Sequence, residues 1–184
     1  MNIFALDLDP KKCAEYHNDK HCVKMILETA QLLSILINEN DNRLSLFLND
    51  MPKPAKTWAN HTSTKWLRES RQNIIWTIKL GNCLCKEYTH RYQKFHKYDH
   101  LFHYLTNNAH MLMHYYPDIP MTRFKLAAGD YFNICNLSEQ EDPTGVLSYR
   151  KYYCVAKSTD SLARWKNRNV PEWFVFPSEG ENNG

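Results

Sequence analysis

His17, His21, Lys24, Glu28 and Gln31 follow one another at steps of four, three, four and three residues. On a helix turning about 100° per residue, that spacing gathers all five into one strip about 80° wide. The residue types are those of acid–base chemistry. Imidazole titrates near neutrality. A desolvated lysine amine is a nucleophile towards carbon, and a carboxylate beside it moves protons. His17, His21, Lys24 and Glu28 are therefore the candidate catalytic residues, and Gln31 a candidate substrate-binding one. The structural alternative is a Lys24–Glu28 ion pair accompanied by two internally satisfied histidines.

The element that must carry this strip is a helix from about Lys11 to Ile37. Asp9 is its expected N-cap and Pro10 its first residue. From Cys22 onward the rest of its circumference is nearly all apolar: Cys22, Val23, Met25, Ile26, Leu27, Ala30, Leu32, Leu33, Leu36 and Ile37. Such a helix is mostly buried, so its polar strip faces a cleft or a closed polar network. An unpaired Lys or Glu there would cost several kcal/mol.

A second long helix is expected from about Ser63 to Lys97, kinked at Gly81-Asn82. Trp66, Ser70, Asn73, Thr77, Leu84, Tyr88 and Arg91 fall near one line along it. Small polar residues between large aromatics suit a pocket. Trp66, Ser70, Asn73, Tyr88 and Arg91 are taken as substrate-binding, with Ser70 and Asn73 placed to hydrogen-bond His17 or His21. An ordinary helix–helix seam gives the same pattern.

Charge supports a polyanionic partner. Residues 53–125 hold 12 basic and 4 acidic side chains, against 5 and 8 in residues 1–52 and 6 and 8 in residues 126–184. The basic excess is interleaved with Trp58, Trp66, Trp76, Tyr88, Tyr92 and Phe95, a mixture suited to phosphates and unstacked bases. Lys65, Arg68 and Arg71 are the phosphate-binding candidates. A solvated helix face over core aromatics is the plainer reading of the same residues.

The remaining chain reads as helix from Asp99 to about Tyr116 and irregular structure over 121–141. A helix opened by Asp142-Pro143 then runs to about Lys157, and a short one follows near Ser161–Asn167. Residues 170–174 pack back on the body. A further apolar run spans Leu44–Leu48. The whole is an all-α single-domain helical bundle over 1–177, with a short extended N-terminal segment at 2–8 and a flexible tail at 178–184.

Several classes are excluded. No apolar run approaches membrane-spanning length. The opening Met1–Asp7 lacks a basic region and is no signal peptide. The six cysteines then read as reduced intracellular thiols, and Cys83-Leu84-Cys85 lacks the spacing of a zinc or redox pair. His17 and His21 are four apart, but Asn18 stands where a zinc protease has glutamate. A looser metal site of His17, His21 and Glu28 stays open. No cofactor is called for.

The blocks Ile3–Pro10, His17–His21, Lys24–Leu33, Trp66–Ser70, Glu87–Tyr92, Tyr149–Tyr153 and Pro171–Trp173 resemble a family of small proteins from tailed phages and large DNA viruses. That likeness covers most of the chain and implies a viral, soluble protein of the host cytoplasm. It brings no activity with it. Ala14 to His17, followed by Lys24 or Glu28, and the aromatic, basic stretch Tyr149–Lys157 with Trp165-Lys166 also resemble the pyrimidine-dimer DNA glycosylases. That resemblance implies base excision by the free amine of a small second residue after loss of the initiating Met. Residue 2 here is Asn, which disfavours that loss. On this reading the amine falls to Lys24 or Lys20, with Glu28 as proton carrier.

These observations converge on a nucleic-acid-directed enzyme, in its most concrete form a glycosylase/lyase-like protein acting on DNA or nucleotides. Two alternatives stand beside it. A non-catalytic module binding a host or viral protein predicts a closed polar strip without a pocket. A metal-dependent hydrolase or nuclease predicts a bound metal.

Overall fold

The structure, a computed structural model, describes residues 2–40, 51–53, 56–157 and 163–176. It is all-α, with no strand among the described residues. The expected runs at Leu44–Leu48 and 178–184, and the start of that near Ser161, lie outside the described residues; 163–167 are not helical.

The helices, in order, are α1 (Pro10–Tyr16), α2 (Asp19–Asn40), α3 (Thr62–Glu69), α4 (Arg71–Tyr92), α5 (Asp99–Asn108), α6 (His110–Met113), α7 (Phe132–Cys135) and α8 (Val146–Lys157). Short 3₁₀ turns precede α3 and α7, at Lys56–Asn60 and Gly129–Tyr131. Helix α4 is the central element and packs on α1, α2, α3 and α5. The helix runs unbroken through Gly81. Phe102 of α5 lies where a Cβ on Gly81 would be, so the glycine lets α5 approach α4 closely.

The expected first helix is two helices. Asp9 caps α1 as anticipated, its carboxylate accepting from Lys11 N at 2.8 Å. His17 then turns extended (φ −64°, ψ 134°), and Asn18 restarts the helix by accepting from His21 N at 2.8 Å. A helix end needs partners for its last carbonyls. Here they come from Arg91, which donates to His17 O at 2.8 Å and Glu15 O at 3.0 Å. The second expected helix is likewise divided at Ser70, which caps α4 by accepting from Gln72 N.

Before α1, residues Ile3 to Leu6 are buried as an irregular segment. Phe4 stacks on His21 (4.6 Å) and meets Tyr153 of α8 edge-on (5.4 Å). Arg150 of α8 donates to Leu6 O at 2.8 Å and pairs with Asp7 at 3.0 Å. The segment ending in Phe174 crosses the α1–α2 junction. Trp165 donates to Tyr16 O at 2.9 Å, and Arg164 O accepts from Asp19 N at 2.8 Å. One continuous buried core contains residues from Ile3 to Phe174.

Candidate active site

The break at His17 separates the polar strip into two environments. His17 is not on α2 with the others; it closes α1 and is fully buried. Its Nδ1 donates to Cys13 O at 2.6 Å, while Nε2 meets no partner. Burial lowers its pKa to about 4. His21 faces the same core. Tyr153 Oη accepts from Asn18 N at 2.9 Å and donates to His21 Nδ1 at 2.8 Å. Burial first, and then neighbouring positive groups, lower the His21 pKa to about 3. Both rings are neutral near pH 7.

The neutral rings link stability to pH. Each folded-state pKa lies below the usual 6.5, so protons favour the unfolded chain. The stabilisation is complete above about pH 6.5 and is lost as pH falls towards the folded values. Between pH 7 and 5, where most carboxylates stay ionised, each histidine should cost about 2 kcal/mol of unfolding free energy. Urea unfolding at pH 7 and pH 5 should show His21→Gln losing about 2 kcal/mol less than wild type over that range. Parallel slopes would refute the coupling.

One and two turns beyond His21 the environment changes. Glu28 is buried, and Lys24, one turn earlier and 59% exposed, reaches it at 3.1 Å. A third group arrives from the chain start. The backbone nitrogen of Asn2 donates to Glu28 Oε2 at 2.6 Å. The Asn2 side chain is itself fixed: Nδ2 donates to Ala127 O at 2.7 Å, and Oδ1 accepts from Ile3 N at 2.8 Å. Tyr149 Oη lies 3.2 Å from Asn2 Oδ1 and donates to Lys125 O at 2.8 Å. His61 caps α3, its Nδ1 accepting from Ser63 N at 3.2 Å. Burial lowers its pKa, against the opposing pull of Glu28.

Asn2 links this carboxylate to a cleft. The cleft has a volume of about 650 Å³ and is lined by Thr62, Lys65 and Glu69 of α3, by 123 and 125–129, and by Phe132 and Asn136. Lys65, Arg123 and Lys125 give it a basic wall. Arg123 also ties the loop down, donating to Asp142 O at 2.8 Å and Leu137 O at 2.7 Å. A larger depression of about 790 Å³ lies between α1 and residues 167–172; Asn2, Lys24, Glu28 and His61 line neither hollow, but Ala127, whose carbonyl Asn2 binds, lines the smaller one. Asn2, through Ala127, joins the smaller cleft to Glu28.

The other candidates are placed as follows. Gln31 lies half-buried on α2, one turn past Glu28. Trp66 is buried against Trp76 and Phe124, its Nε1 donating to Thr122 O at 3.3 Å. Ser70 and Asn73 do not reach His17 or His21. Ser70 Oγ donates to Ile119 O, and Asn73 Nδ2 donates to Trp66 O and Thr122 Oγ1, because both hold the 117–122 segment across the α3–α4 break. Tyr88 packs on Tyr92 and His96.

Arg91 is fully buried, binding Glu87 at 2.7 Å and Asp19 at 3.0 Å. Asp19 is nine residues from Glu28, about 13 Å along the helix axis. Arg68 pairs with Glu39, and Arg71 pairs with Asp118 at 3.1 Å while donating to Tyr116 O. Of the three phosphate candidates, only Lys65 lines the cleft. Among the described residues, no three His, Cys, Asp or Glu side chains form a metal-binding group. No described helix is long and apolar enough to cross a membrane.

Asn2, His61, Arg123 and Lys125 are site residues that sequence reasoning did not name. Alternation in Thr122-Arg123-Phe124-Lys125 was the available signal for the last two.

Fold and site together define a helical protein that seats a lysine amine and the start of its own chain on one carboxylate, beside a basic cleft. Residues 1–101 match the family model described as pyrimidine dimer DNA glycosylase, more than half of the chain, and the chain belongs to that family. No curated protein and no solved structure matches it.

Proposed function

We propose that this protein is a DNA glycosylase/lyase whose nucleophile is a nitrogen held on Glu28. The observation that carries the reading is the 2.6 Å contact between Asn2 N and Glu28, next to a basic cleft. Removal of Met1 turns that nitrogen into an α-amine, partly buried and held in place through the Asn2 side chain. Fixed position and desolvation both favour attack. The amine adds to C1′ of the damaged nucleotide as the glycosidic C–N bond breaks. The bond's electron pair leaves with the base, which takes up a proton. The attached nitrogen gives up a proton, and its lone pair then expels O4′ from C1′. The sugar ring opens, O4′ takes up a proton, and a protonated Schiff base remains. Glu28 then accepts a proton from C2′, and the 3′ phosphate departs with its bonding electrons. Lys65, Lys125 and the remaining donor capacity of Arg123 suit the phosphates flanking an extruded nucleotide. The setting inferred from the likeness to phage and large-virus proteins is the host cytoplasm.

A second nitrogen meets the same carboxylate. Lys24 Nζ lies 3.1 Å from Glu28, so Lys24 is the competing amine. Lys20, exposed and one turn earlier, is farther back along α2. Borohydride trapping on abasic-site DNA separates these choices, together with the intact mass of the protein. Wild type lacking Met1 should give a reducible covalent adduct that survives Lys24→Ala and disappears when the N-terminus is acetylated. An adduct lost in Lys24→Ala alone moves the chemistry to lysine. No adduct and no DNA binding at low salt overturns the enzyme reading and favours a protein-binding module.

A further inference from the structure

The wall of the cleft ends in a knuckle that the chemistry above does not use. Residues Gly129 to Cys135 form a 3₁₀ turn running directly into α7. Gly129 adopts φ +53°, a backbone conformation open chiefly to glycine. The turn thrusts Tyr131, Phe132 and Ile134 outward, at 40%, 43% and 57% exposure. Large apolar side chains so close together in solvent mark a surface that meets a partner. Tyr131 leans on Tyr152 (5.9 Å between centroids), so Phe132 and Ile134 form the tip.

The knuckle stands on a fixed stem. Cys135 is buried, Leu137 N donates to Ser148 Oγ at 3.1 Å, and Arg123 holds Leu137 O. On the other side Ala127 O is held by Asn2, the residue whose nitrogen rests on Glu28. Phe132 lines the same cleft as Lys65, Arg123 and Lys125. An apolar tip beside cationic side chains complements one partner in particular. The cations meet phosphates, and the tip meets the stacked faces of bases between them.

We infer that Phe132 and Ile134 are a wedge that enters the DNA stack at the lesion and holds the strand open while the group on Glu28 reacts; this rests on the glycosylase reading above. Wedge insertion matters only where there is a stack to part, so the effect should depend on the substrate. The variant Ile134→Ala alters an exposed tip side chain outside the cleft lining and should keep the wild-type urea midpoint. On duplex abasic-site DNA its cleavage should fall at least 10-fold, while on single-stranded abasic DNA it should stay within about 3-fold of wild type. Wild type should brighten 2-aminopurine placed beside a reduced abasic site in duplex DNA, and the variant should not.

Equal losses on both substrates, or unchanged duplex cleavage and brightening, overturn the wedge while leaving the glycosylase reading intact. Wild type that forms no adduct on either substrate overturns both. A sedimentation shift from dimer to monomer on substitution, with duplex activity unchanged, assigns the knuckle to contact between two copies instead.

Discussion

Glu28→Gln should abolish strand cleavage while sparing the fold. The amide oxygen of Gln still accepts from Asn2 N, so the N-terminal segment keeps its anchor. What disappears, on the mechanism proposed above, is the base that takes the C2′ proton. A positioned proton carrier contributes about 10²–10⁴-fold. Cleavage of abasic-site DNA by Glu28→Gln should therefore drop by that factor in single-turnover assays. Adduct trapped by borohydride should fall much less, because Schiff base formation precedes the lost step. A variant within about 3-fold of wild type in cleavage would remove Glu28 from the mechanism. Loss of adduct in proportion to cleavage would place its role before the Schiff base.

The second large effect concerns stability. Glu87 is buried on α4 between two guanidinium groups, bound by Arg91 Nε at 2.7 Å and Arg168 Nη2 at 2.8 Å. Burial alone would raise its pKa, and the hydrogen bonds from Arg168 and Arg91 outweigh that, leaving it lowered. Among the described residues, Glu87→Ala leaves the buried Arg91 with the more exposed Asp19 as its one carboxylate partner. Breaking a buried pair by deleting one member costs about 3–5 kcal/mol. Urea unfolding of Glu87→Ala should show a loss in that range, with adduct formation per folded molecule within about 3-fold of wild type. A loss below about 1 kcal/mol would mean the cluster relaxes freely. Loss of adduct formation in the folded variant would tie this network to the site.

The same network explains what the sequence hid. The α1–α2 break carries no Gly or Pro, because the carbonyls it frees are answered by Arg91 from 74 and 76 residues away. A wheel drawn through Lys11–Ile37 therefore aligned His17 with residues of another helix. The break at Ser70 was missed for a related reason: its hydroxyl and Asn73 bind the 117–122 segment. Signals that are local did show. Asp9-Pro10 opens α1, and the i,i+4 pairing of Lys24 with Glu28 is as the spacing gives it. Asp142 caps α8 by accepting from Ser148 N at 2.8 Å, but α8 begins at Val146, three residues beyond Pro143. The meeting of Asn2 with Glu28, and the basic wall from 123–125, depend on how distant segments pack. No spacing rule reaches that far.

The contacts on Asn2 also govern when the site comes into being. Its side chain is held by Ala127 and approached by Tyr149, 125 and 147 residues downstream. A nascent chain thus makes its second residue first and fixes it in place among the last. Until the stretch through α8 is made, Asn2 lacks the partners that fix its side chain. The contact with Glu28 is thus completed by the last part of the core to be synthesised.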